Sequence, residues 1–107
     1  MESEYPPLTS HGRKRGKERC GLNAKALERT AAVALADGLH PKHTNGRLRR
    51  YLDGLSIGHK GTRHRVHSNH IYCFGGEDVL ITVLELPHAF RNAAARALKK
   101  LAPLSND

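Results

Sequence analysis

The chain has 107 residues, enough for one domain around one core. Eighteen Lys and Arg against ten Asp and Glu give a formal net charge of +8 and a pI of about 10.0. That balance favours a polyanionic partner: RNA, DNA or an acidic protein. No apolar run approaches the ~20 residues of a membrane span. The start MESEYPPL lacks a charged-then-apolar leader, so the expected setting is the cytoplasm, away from membranes.

Residues 1–9 carry Pro6-Pro7 and no periodicity, and are expected to form a flexible arm. A first helix is expected over about 11–20, capped by Ser10 and stopped by Gly21. Gly12 and Gly16 weaken it by roughly 1 kcal/mol each relative to Ala, so packing or a ligand must hold it. Asn23 caps a second helix over about 24–37, with Leu27, Ala31, Ala34 and Leu35 on one face and Gly38 at its end. A loop around Pro41 leads to a third helix, about 45–55, with Leu48, Tyr51, Leu52 and Leu55 at helical spacing. Residues 56–61 (SIGHKG) read as a flexible connection.

The period then changes to two. RHRVHS (63–68) and HIYCF (70–74) alternate, with a tight turn at Ser68-Asn69. VLITVLEL (79–86) is almost wholly apolar and predicts a buried, central strand. Pro87 opens a last helix, about 88–101, and 102–107 form a tail. The order predicts an α+β domain over 10–101: N-terminal helices packed on a three-stranded antiparallel meander, with a C-terminal helix, in two layers. Cys20 and Cys73 lack the spacing of a metal knuckle or a redox pair and read as reduced, small and hydrophobic.

Three stretches carry candidate chemistry. In SHGRKRGKERC, His11 shares a helix face with Arg15 and Arg19. A histidine beside guanidiniums suits phosphate chemistry, because the cations neutralise the anion and the imidazole moves a proton. The rival reading is a solvated basic helix, on which Arg13, Lys14 and Lys17 would still contact a polyanion. In GRLRRYLDGL, Arg47, Arg49 and Arg50 are candidate contacts and Tyr51 reads as core. In TRHRVHSNH, Arg63, Arg65 and His67 would share one strand face, with Arg65 or His67 reaching a cleft beside Tyr72. An exposed cationic strand that discourages edge pairing is the rival there. His64, His67 and His70 suggest a metal at first sight. Strand residues three apart face opposite ways, and no nearby Cys or carboxylate completes a tetrahedral set, so no metal is expected.

No phosphate-cradling glycine loop, paired-carboxylate motif, serine elbow or RNA-recognition aromatic motif is present, and no cofactor is expected. Phosphodiester chemistry would have to run without metal, through the RNA 2′-hydroxyl. The segments SHGRKRGKERCGL, GRLRRYLDGL and RV…HIYCFGGEDVLITVLELP resemble small phage and prophage proteins. Those are in turn similar to the Barnase–EndoU–Colicin–RelE superfamily of toxin ribonucleases. The resemblance covers about residues 9–87 and implies a metal-independent endoribonuclease. It implies a first-helix histidine, His11, followed by basic Arg15 and Arg19, and a cation and hydroxyl from the sheet, Arg65 with Tyr72 or Thr82. The alternative is a phage-type binding protein or inhibitor without chemistry, acting on nucleic acid or on a host nucleic-acid-binding complex. Beside nucleic acid, a host nucleoprotein or a cognate antitoxin is the expected kind of partner. A third is an assembly protein whose charge is incidental.

Overall fold

The computed structural model describes residues 5–55 and 61–101. The first four arm residues, most of the expected connection (56–60) and the tail lie outside the described residues. The helices are α1 (Ser10–Cys20), α2 (Ala24–Asp37), α3 (Gly46–Leu55) and α4 (Arg91–Leu101). The strands are β1 (Arg63–His67), β2 (His70–Phe74) and β3 (Leu80–Glu85), antiparallel in the order β1-β2-β3. The domain is α+β.

Local chemistry explains most boundaries. Thr9, not Ser10, caps α1, its hydroxyl accepting from the Gly12 amide at 2.8 Å. Gly21 ends α1 in the left-handed region, at φ 71°. Asn23 caps α2 through the Ala26 amide. Ser68 and Asn69, both at positive φ (50° and 65°), make the β1–β2 turn, the backbone a two-residue hairpin needs.

The two-layer arrangement gives way to helices on both faces of the sheet. Tyr72, Phe74, Leu80 and Val83 pack with Leu27, Ala31 and Ala34 of α2. Val66, Ile71 and Cys73 face the other way, onto Leu48 and Leu52 of α3 and Ala94 of α4. The VLITVLEL strand is correspondingly an edge, and β2 is central.

What covers the β3 edge is α1 and the chain leading into it. The expected loose arm is tied down at its end: the Leu80 amide donates to Pro7 O (2.8 Å) and the Thr9 amide to Leu80 O (3.0 Å). Thr9 Oγ1 lies 3.2 and 3.1 Å from the Leu80 and Ile81 carbonyls. Arg19 Nη1 donates to Val83 O at 2.6 Å. The glycines of α1 make this fit possible. A Cβ on Gly12 would stand 2.5 Å from Leu80 O, and one on Gly16 would overlap the Leu27 side chain. The β1 edge is closed differently, by Leu39, whose N–H and C=O both bond Val66 (2.8 and 3.0 Å). The β3 edge is thereby withheld from other chains, and the β1 edge is engaged at Val66.

Gly12→Ala should destabilise the fold by about 1–3 kcal/mol, because a backbone carbonyl cannot step aside. Gly54, exposed in α3 with nothing near its Cβ position, is the control: Gly54→Ala should stabilise by up to about 1 kcal/mol. Denaturant midpoints of the two variants check both signs.

Candidate nucleic-acid interface

The sequence-predicted residues divide into separate groups. His11, Arg13, Lys14 and Lys17 stand on the exposed side of α1, away from the buried glycines. Arg15 lies half-buried on the same helix and pairs with Glu18 at 2.7 Å. Arg19 turns inward to the Val83 carbonyl, where it holds the helix to the strand. Tyr72 sits under α1, 1% exposed, with its hydroxyl 3.8 Å from Cys20 Sγ. Burial, then Cys20, pushes the phenol well above its usual range. Thr82 pairs in register with Cys73 and lines a hollow with His64, Leu55 and Leu84 on the α3–α4 side of the sheet. The six proposed catalytic side chains therefore share no cleft: His11 and Arg15 are outside α1, Arg19 and Tyr72 beneath it, and Thr82 across the sheet. Arg65 is directly opposite Tyr72 in register, but at the β1 edge.

The histidines of β1 and β2 also part company. His64 is buried on the α3–α4 side, while His67 and His70 pair across the turn. The His70 ring lies between two carbonyls, Ser68 O at 2.9 Å from Nδ1 and Arg19 O at 3.1 Å from Nε2, and donates to one or the other according to its tautomer. It thus ties the hairpin to the last turn of α1.

The binding candidates fare differently. Arg63 pairs with Asp78 and donates to Gly75 O. Arg47 lies over the Phe90 ring, 5.7 Å from its centroid, and Tyr51 stacks on the same ring at 5.0 Å, in the partly buried setting expected for core. Arg50 is exposed on α3. Arg49 pairs with Asp53 at 2.9 Å. Arg65 is half-buried, its guanidinium donating to His64 O at 3.0 Å, and burial followed by Arg63 pulls its pKa below the ordinary value.

Arg49 and Arg65 belong to a cluster that the sequence did not disclose. Leu39 pairs with Val66, so the short 3-10 turn Pro41–His43 is delivered beside Arg65. His40 caps that turn, accepting from the Lys42 amide at Nδ1 (3.2 Å), and its ring stands 6.1 Å from that of His43. Partial burial, then the fields of Arg65, Lys42, His43 and Arg49, holds the His40 imidazole below its usual range. Four basic side chains, from the turn, β1 and α3, thus lie near enough for their fields to reach His40. The ion pairs among the described residues engage Arg15, Arg49 and Arg63, leaving His40, Lys42, His43 and Arg65 outside them. The cue in the sequence is HPKH, two histidines around Pro-Lys in a turn. It becomes informative only once Leu39 pairs with β1.

Both thiols are quiet. Burial pushes Cys73 up to about 12, against a lowering by Arg19, and raises Cys20 as well. Unfolding would release these thiols and the Tyr72 phenol to ionise at their ordinary values. The stabilisation is complete below about pH 9 and is lost as pH rises through 9–12. Urea midpoints should fall across that window; a Cys73→Ala, Cys20→Ala pair should make the fall shallower and leave the part above about pH 10 that belongs to Tyr72. No protein-family model, no curated protein and no solved structure matches this chain.

Proposed function

We propose that this chain is a nucleic-acid-binding protein that acts by holding its partner. Its contact surface in this reading is the cationic band around the 40–43 turn. The observation that carries the proposal is the pairing of Leu39 with Val66, which sets the turn bearing His40, Lys42 and His43 beside Arg65; the fields of Arg65, Lys42, His43 and Arg49 on His40 agree with it. Assembling like charges costs free energy in the free protein, and an evenly spaced polyanion offsets that cost. The net charge of +8 supplies the long-range attraction.

Binding is favoured over strand cleavage by the placement of the acid–base candidates. Metal-free cleavage needs a base, an acid and cations within hydrogen-bond reach of one phosphate. His11 stands outside α1 and the Tyr72 hydroxyl is buried beneath it. A ribonuclease would need another pair.

With about five phosphates engaged, affinity for single-stranded RNA should fall on the order of 10²-fold between 50 and 200 mM salt. Lys42→Ala and Arg65→Ala should each reduce the slope of log affinity against log salt by about 1. Burial and then the neighbouring cations hold the His40 imidazole below its usual range; a bound phosphate offsets the cationic part, so binding takes up a proton and should tighten as pH falls. Fluorescence anisotropy across salt and pH reads all three. Absence of binding at 50 mM salt contradicts the proposal. EDTA-resistant cleavage of the same RNA, lost in His11→Ala, would restore the ribonuclease reading.

A further inference from the structure

Beside the 40–43 turn a small cavity of about 110 Å³ opens between that turn, α3 and α4. His43, Thr44, Asn45 and Leu48 form one wall, and Ala93, Arg96, Ala97 and Lys100 the other. Arg96 and Lys100 are four apart and so share a helix face; Ala93 and Ala97 are likewise four apart. The alanines keep the helix surface low between the cations, which leaves the hollow flanked by a guanidinium, an ammonium and an imidazole. Among the described residues, no carboxylate lines it. Arg96 and Lys100 repel each other at this spacing when the hollow holds only water.

The volume is well below the roughly 300–1,000 Å³ of ordinary small-molecule sites. It suits one anionic group better than a base with its sugar. A guanidinium offers paired donors to two oxygens of a phosphate, and a lysine adds a point charge. The first turn of α3 adds the positive end of its dipole to what these side chains already provide. The Thr44 hydroxyl is committed elsewhere, donating to Pro41 O at 2.6 Å, and so fixes the wall that carries His43.

We infer that this cavity is a phosphate-binding subsite formed by His43, Arg96 and Lys100. It continues the band around His40, since His43 belongs to both. The inference rests on the nucleic-acid reading only for the source of the phosphate. In that reading the subsite seats one phosphate of the bound strand and sets where the strand leaves the band.

The test is amide chemical-shift mapping of the full chain. Inorganic phosphate, a 5′-phosphorylated RNA oligonucleotide and its unphosphorylated twin are each titrated against it. Wild type should show saturable shifts at 44–48 and 93–100 with inorganic phosphate. The double variant Arg96→Ala, Lys100→Ala should bind phosphate at least tenfold more weakly, while the helix-α1 control Arg13→Ala, Lys17→Ala should not change. Both pairs are exposed, and unchanged amide dispersion verifies the fold. A severalfold preference for the phosphorylated oligonucleotide, lost in the Arg96/Lys100 variant, supports the subsite with a terminal phosphate as its ligand. Equal affinities, equally weakened by that variant, support it with an internal phosphodiester. Phosphate seated here with no binding of either oligonucleotide sustains the subsite and overturns the nucleic-acid reading. Diffuse, non-saturating phosphate shifts that are indifferent to Arg96→Ala, Lys100→Ala overturn the subsite, whether or not RNA binds elsewhere.

Discussion

Helix α1 rests against the edge of β3 with no side chain between them at Gly12, and much else follows from that approach. An edge strand exposes a row of carbonyls that another chain could pair with. Here Thr9 and Arg19 bond three of them, and Leu80 takes its remaining backbone partners from Pro7 and Thr9. Gly12 and Gly16 would be a weakness in a free helix. Against a strand they are the condition for contact. Because the inward face of α1 is spent on glycine, Arg19 and Cys20, its remaining cations point to solvent, and the phenol of Tyr72 is roofed over.

The same closure organises the charge. Helices occupy both faces of a three-stranded sheet and α1 closes one edge, so the other edge, at β1, is left to a single residue, Leu39. Its two hydrogen bonds to Val66 bring the following turn beside Arg65. Positive charge from α3 and the turn then accumulates where, among the described residues, the Asp53 carboxylate pairs with Arg49 and no ion pair engages His40, Lys42, His43 or Arg65. The concentration of cations on this side is a consequence of how the sheet is sealed, and in the proposed function it is the place where a polyanion would meet this +8 chain.

Much of this architecture can be read in the residues. Asn23 and Gly21 mark helix ends because their local bonding is self-contained. Ser68-Asn69 marks the hairpin because alternation brackets it. The α+β order and the meander follow from the change of period. VLITVLEL misleads because an apolar strand signals burial without saying what buries it: a centre position and an edge roofed by a helix leave the same pattern. The site is less legible for a related reason. Arg65 and Tyr72 do alternate onto one face, yet α1 covers that face at Tyr72 through Cys20. His40, Lys42 and His43 acquire meaning only from a pairing with β1 more than twenty residues away, and Arg96 and Lys100 only from α4 lying beside α3. Local signals report local bonds; convergence across the fold leaves no period to detect.

The central claim is that the surface around His40, rather than the α1 ridge, meets nucleic acid. Hydrogen–deuterium exchange of the chain with and without single-stranded RNA, at low salt, tests it most directly. The account predicts protection concentrated at residues 39–49 and 63–67, with α1 unchanged between Ser10 and Lys17. Protection confined to the α1 ridge, with the 40–43 turn exchanging as in the free protein, would contradict it.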